Sequence, residues 1–498
     1  MTSRCISLFA CAGLAAFTAG CATVGPNFKT PAPPVASSYA MAGDEPLPQA
    51  AIGEKLAADW WGLFRSPEID QTVRQAIAGN QSLESARAAL AQARDAIAAQ
   101  APRLTLDANA SAAEDRVNLT SFGFSQFPGP NGPITLSNPT FQIYSFGLSG
   151  SYDFDLFGAR RRERESLLAQ AEAQGFQTDA AYLTLTAQVV GQAIDIASLR
   201  AQIAAAEEIT NSDQQTLNLV TKSYQLGGGT RLDVATVQTE LSNDQGAVTP
   251  LRQQLSASRH ALALLVGQAP SQWTPPDFDL DSIAAPASLP VELPSELVRD
   301  RPDIRAAEAR LHAATAQVGV AQADLYPKLT LTGSITQGAL HPQDLFTYGA
   351  TGFFLGPGVT LPLFHAGQLK AKKRMAEDQA RAALATYQQT VLQAFVQVGD
   401  SLQAIVHDDQ AIADATHALD SGADSLRLER LRYQDGKTGL LPVLDAQRSY
   451  ARAQTTLIRA RAQRLRDAAA LLYAVSRNWN GDAAVAQAAP PPASPPKP

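Results

Sequence analysis

Apolar positions recur every seven residues along two stretches of this chain. Tyr182, Val189, Ile196, Ile203, Thr210, Leu217 and Tyr224 make the first series. Val391, Val398, Ile405, Ile412, Leu419, Leu426 and Tyr433 make the second, each 209 residues later. Seven in-phase heptads predict a coiled-coil stripe. Residues 159–224 and 366–433 contain no proline, so each predicts one helix about 100 Å long, too long for a compact domain. A glycine turn follows each one: Gly227-Gly228-Gly229 and Thr230 in the first copy, Gly436 and Gly439 in the second. The chain then runs back through residues 232–266 and 441–475, helices of about half that length. Shorter helical stretches at 83–101 and 304–323 could continue these return helices end to end.

A period of two appears before each long helix. Tyr144, Phe146, Leu148, Gly150, Tyr152, Phe154 and Leu156 alternate with polar residues, as do Leu104 and Leu106 and, later, Leu329 and Leu331. A fourth strand is expected within 353–363. Aromatic residues crowd these segments, as on lipid-facing strands. The connections 112–143 and 336–351 read as loops. Four strands cannot close a barrel. Two copies of the chain give eight, an interior filled by side chains; three give twelve, wide enough for a lumen.

The strand and helix patterns belong to one tandem repeat. Residues 152–159 match 359–366 in pattern, and Tyr224-Gln225-Leu226-Gly227 matches Tyr433-Gln434-Asp435-Gly436. The fold class is therefore α+β, with four strands per chain of a transmembrane barrel whose smallest pore-forming assembly is a trimer with twelve strands, and long coiled-coil helices that could continue the lumen as an α-barrel. The expected division is an export signal (1–20), a tether (21–58), a first repeat (59–267) and a linker (268–294), then a second repeat (295–480) and a proline-rich tail (481–498). Within the repeats, strand hairpins occupy 103–157 and 328–364, and helical hairpins 159–266 and 366–478.

Composition narrows the function. With 498 residues, 45% hydrophobic and 17% charged, the chain is neither disordered nor charge-rich. A net charge of -7 argues against a nucleic-acid partner. The three cysteines, Cys5, Cys11 and Cys21, lie at the extreme N-terminus, which rules out a disulfide framework or a cysteine nucleophile in the body. Arg4, the apolar run 6–19 and the small residues before Cys21 read as a lipoprotein signal, with Cys21 the acylated residue; simple cleavage nearby is the alternative. No apolar run of 18 residues follows, so any membrane crossing must be a closed barrel. Six scattered histidines offer no metal motif, and no nucleophile elbow or phosphate loop is present. No catalytic site and no cofactor are expected beyond the lipid on Cys21. Basic clusters open both long helices: Arg160, Arg161 and Arg162, then Lys370, Lys372 and Lys373. They have the wrong sign for a helix N-terminus, and lipid headgroups are one reading of them.

The segment Cys21-Ala22-Thr23-Val24-Gly25-Pro26-Asn27-Phe28, the Asp155-Leu156-Phe157-Gly158 step and Tyr433 to Gly436 through Val443-Leu444-Asp445-Ala446-Gln447-Arg448 resemble the outer membrane factor family (TolC- and OprM-like), in its NodT-type lipoprotein branch. The resemblance covers nearly the whole mature chain. It implies a homotrimeric exit duct in the outer membrane, reaching into the periplasm and working with a periplasmic adaptor and an inner-membrane pump of the resistance-nodulation-division type. It also implies a gate at the periplasmic tip, with Asp445 and Tyr433 as candidates, and glycine turns presented to the adaptor. Pro442 stands where a second acid would be expected and could kink the return helix. Efflux of drugs or other small molecules is the main expectation. Polypeptide secretion and a structural envelope tether are the alternatives.

Overall fold

A computed structural model describes residues 23–32, 39, 41–45, 51–52, 56–57, 59–100, 103–116, 126–130, 132–135, 140–286, 290–291 and 294–476. Cys21, nearly half of the tether and the tail lie outside them. The chain forms two units, one from residues 1–29, 94–170 and 311–383, the other from 30–93, 171–310 and 384–498.

The first unit is built on a four-stranded antiparallel sheet ordered β2-β5-β7-β8: β2 (Leu104–Arg116), β5 (Thr140–Asp153), β7 (Lys328–Ala339) and β8 (Thr351–Thr360). Strands of ten to fourteen residues are long enough to cross a hydrocarbon core when tilted. Register puts alternate residues on one face. Leu106 pairs with Gly150, Leu148 with Ile335, and Ile335 with Phe353. That face also carries Leu104, Phe146, Leu331, Leu355 and Val359. The opposite face carries Asp107, Asn109, Ser145, Ser149, Ser151, Thr330, Thr332, Ser334 and Thr336. Neither β2 nor β8 has a further neighbour among the described residues.

The sheet also corrects the loop expected at 112–143. β2 extends to Arg116, β5 starts at Thr140, and a small hairpin of β3 (Gln126–Gly129) and β4 (Gly132–Thr135) lies between them. The alternation fades there because Glu114, Asp115 and Gln142 replace apolar residues.

The helices are α1 (Pro67–Gly79), α2 (Gln81–Ala99), α3 (Ala159–Gln225), α4 (Arg231–Val266), α5 (Pro294–Asp300), α6 (Pro302–Ala323), α7 (Gln368–Gln434) and α8 (Leu440–Ala474). α3 and α7 each run 67 residues. The heptad positions are buried in the middle of each long helix, where Tyr182, Val189, Ile196, Val391, Val398 and Ile405 are at most 2% exposed; toward the turns most are only partly buried, and Tyr224 is exposed. In the second unit they join a core with Trp60, Trp61, Phe64, Phe278 and Leu297. The linker contributes Phe278, Leu280 and Ile283 to this core, so it is packed rather than draped. A short parallel pair, β1 (Ala51–Ile52) with β6 (Pro290–Val291), ties tether to linker.

The return helices meet the upstream helices end to end. At the end of α4, Leu265 O accepts from Asn80 Nδ2 at 2.8 Å, while Asn80 Oδ1 caps α2 through Leu83 N at 3.0 Å. At the end of α8, Ala474 O accepts from Arg301, just before α6, at 3.1 Å. Pro442 does not kink α8. It falls in the first turn, where an N–H has no helical partner to lose.

Candidate functional site

Both helical hairpins end in the same backbone device. Gly227 and Gly436 have φ of 82° and 71°, the left-handed region that favours glycine. Gly228 N donates to Ser223 O at 2.9 Å, and Lys437 N to Arg432 O at 2.8 Å, closing a Schellman turn on each long helix. The return helices differ in their caps. Thr230 makes a full capping box with Asp233 on α4. Gly439 caps α8 without a side chain. Gly227, Gly228, Thr230, Gly436 and Gly439 are exposed, and Gly229 is partly so.

The gate candidates occupy different environments. Tyr433 is half-buried and packs on two small apolar clusters, one of Val220, Val237, Leu440 and Leu444, the other of Leu426, Val443 and Ala446. Burial pushes its hydroxyl pKa up, and Asp233 adds to this. Asp445 is exposed, one turn into α8, 3.3 Å from Arg448. Arg448 also makes a two-pronged ion pair with Glu240 of α4. That pairing holds Glu240 below the usual carboxylate range and raises Arg448.

Beside this pair lies a cluster that the sequence reading missed. Asp213 of α3 is fully buried. One carboxyl oxygen accepts from Gln447 of α8, and the other has no donor partner. Burial and then the adjacent Asp244 of α4 push Asp213 up to about 7. A proton shared between the two carboxyls accounts for the unpartnered oxygen. Asp408 of α7, beside Asp467 of α8, is raised to about 7 for the same reasons. A signal was present: Asp213 stands three residues past Thr210, in line with buried Leu185 and Val220. A carboxylate on a buried helical stripe must find a partner or a proton. A groove of 420 Å³ opens nearby, lined by Glu208, Ser212, Leu426, Arg430, Gln447 and Tyr450 among others.

The basic clusters separate. Arg160 pairs with Asp153 at 2.7 Å, and Arg161 lies 3.8 Å from Asp155. Arg162 is 3% exposed, so a headgroup contact through it is overturned: its guanidinium is spent on Val24, Gly25, Asn27 and Glu165. Lys370 and Lys372 are exposed and make no ion pair among the described residues, while Lys373 reaches Glu377 at 3.5 Å. Asp155 has φ of 48°, and its buried carboxylate caps α3 by accepting from the N–H groups of Arg160 (2.9 Å) and Arg161 (3.2 Å). Among the described residues no helix is long and apolar enough to cross a membrane, and no group of metal-ligating side chains is found.

Known proteins with this arrangement agree. The chain is 31% identical to the pyoverdine export outer membrane protein OpmQ of Pseudomonas aeruginosa, over 93% of this chain and 96% of that protein. It is 28% identical to nodulation protein T of Rhizobium leguminosarum bv. trifolii, over 93% and 95%. The solved open state of the Neisseria gonorrhoeae MtrE outer membrane channel superposes with a TM-score of 0.77 at 27% identity, covering 91% of this chain and 98% of that one. The profile described as outer membrane efflux protein matches residues 72–268 and 293–476. This chain belongs to the outer membrane efflux protein family and is an outer membrane channel component of an efflux system.

Proposed function

We propose that three copies of the chain close one duct and that the duct serves small-molecule efflux. The observation that carries this is the sheet. One face is largely apolar, the other is lined mostly by Ser, Thr, Asn and Asp, with Phe141, Ile143 and Phe354 the large apolar exceptions, and neither edge strand has a further neighbour among the described residues. A bilayer admits such a sheet only when it is closed. Three copies make twelve strands, with the apolar face to lipid and the polar face to a lumen. A structural tether has no use for an apolar outer face with exposed Leu355, Phe353 and Val359.

The duct conducts and does not catalyse. Lipid on Cys21 anchors it from the periplasmic side. Exposed Lys370 and Lys372 meet headgroups beside the sheet. The glycine turns face a periplasmic adaptor, which couples the duct to an inner-membrane pump of the resistance-nodulation-division type. Asp445 and Tyr433 act at the inner constriction, where three Asp445 carboxylates repel one another and attract cations. Relatives are named for pyoverdine, toluene and antibiotic export, which favours small molecules over polypeptides.

Native mass of protein extracted from outer membrane, followed by conductance in a planar bilayer, tests this. A conducting trimer supports the duct, and a stable monomer or dimer refutes the strand count. In a folded trimer Asp445→Ala raises conductance; an unchanged value removes Asp445 from the constriction.

A further inference from the structure

Residues Thr23 to Phe28 lie in a seat cut into the first unit. Three glycines make the room. A Cβ on Gly25 would lie 2.4 Å from Gly319 Cα, one on Gly158 2.7 Å from Thr23 Cγ2, and one on Gly319 2.8 Å from Arg162 Cγ. Into this seat the first turn of α3 extends Arg162. Its Nε donates to Val24 O (3.2 Å), and its Nη2 to Gly25 O (3.4 Å) and Asn27 Oδ1 (2.6 Å). Nη1 is held by Glu165 at 2.7 Å. Val24 N donates to Phe157 O at 3.2 Å, and Phe28 stacks on His312 with centroids 4.4 Å apart. His312 in turn meets Glu165 at 3.0 Å. A buried guanidinium with three acceptors on one short segment is a clamp, because every one of those acceptors needs the planar fork.

We infer that Arg162 is a positioning residue for the lipid anchor: it fixes the strap that follows Cys21 to the foot of the sheet, and so sets where the acyl chains enter the bilayer. Only Ala22 separates Cys21 from Thr23, and the two Cα–Cα steps span about 7 Å at most. Thr23 touches Gly158, five residues after β5 ends. The lipid therefore enters at the level where the strands leave the membrane, and the two anchors act in register. This rests on the reading that Cys21 is acylated.

The test is hydrogen exchange on the full-length trimer with Arg162→Ala, alongside Asn27→Ala, which removes one strap partner and leaves α3 intact. The Val24 amide is expected to exchange about tenfold faster in both. Outer membrane trimer yield is then compared in the acylated chain and in a Cys21→Ser chain exported by a non-lipoprotein signal. Arg162→Ala is expected to lower yield about fivefold when the chain is acylated and by less than about twofold when it is not, the non-additivity of two groups acting as one. Arg162→Lys, which keeps the charge without the fork, restores part of the yield. Unchanged exchange in both variants overturns the clamp. Equal losses with and without lipid overturn the positioning role. Mass analysis of the mature N-terminus decides acylation separately: an unmodified Cys21 refutes that reading, while the exchange result still decides the clamp.

Discussion

Where the first return helix meets its upstream helix, glycine closes the joint; in the second repeat a buried arginine does. A Cβ on Gly267 would come within 2.0 Å of Gly79 O, so the two backbones touch and Asn80 bridges what remains. In the second joint Arg301, 5% exposed, makes the link. It binds Ala474 O, Gln397 and both oxygens of Asp303. The strand-to-helix junctions diverge in the same manner. One residue, Gly158, separates Phe157 from α3, with Asp155 capping the helix and the strap seated on it. Three residues separate Phe364 from α7, the left-handed Ala366 and Gly367 among them, and Phe364 is 86% exposed. One repeated pattern thus specifies where an element ends, while the neighbour packed there decides how the end is held.

Substitutions can break this comparison. Arg301→Ala leaves the Ala474 and Gln397 oxygens without their buried donor and is expected to destabilise by about 2–3 kcal/mol, since Asp303 is 40% exposed and can be solvated, against about 1–2 kcal/mol for Asn80→Ala at the other joint. Denaturant unfolding of the two variants checks the ratio. Asp155→Ala removes a buried cap and is expected to cost about 1–3 kcal/mol, whereas His365→Ala at the second junction stays within about 0.5 kcal/mol, as an exposed substitution should.

The pH prediction concerns the carboxyl pairs, one in each helical hairpin. The folded chain holds a proton on Asp213 up to about pH 7, while a separated hairpin releases it near the ordinary 3.8. The stabilisation is therefore complete below pH 4 and fades as pH rises to 7, with a slope of at most about 1.4 kcal/mol per pH unit for the one proton. Asp213→Asn flattens this part of a melting profile; an unchanged slope refutes the shared proton. The smallest effect lies at the tips. Thr230→Ala is expected to cost about 1 kcal/mol, and Gly439→Ser to gain a few tenths, because only the first return helix has a side-chain cap to lose.

Much of the fold was legible as period. The heptads located α3 and α7, and the alternation located three of the four strands, because each periodicity states which face meets a different medium; the fourth, expected within 353–363 without such a pattern, runs from Thr351 to Thr360. The ends of β2 and β5 were missed because polar residues take over where the pattern stops. The turn glycines were legible because a left-handed residue after a long helix has few alternatives to glycine. Arg162 was misread, since a basic residue at a helix start looks the same whether it faces lipid or a buried carbonyl.

Sequence alone determined the tandem repeat, the long helices, the amphipathic strands and the need for more than one copy to close them, all properties of neighbours along the chain. Tertiary structure decided that Arg162 clamps Val24 to Asn27, that Gln447 reaches Asp213, and that Arg301 rather than glycine closes the second joint. These contacts join residues more than a hundred positions apart. Local periodicity holds no information on which buried polar group meets which; that depends on burial depth and geometry, which exist only once the helices and strands have packed.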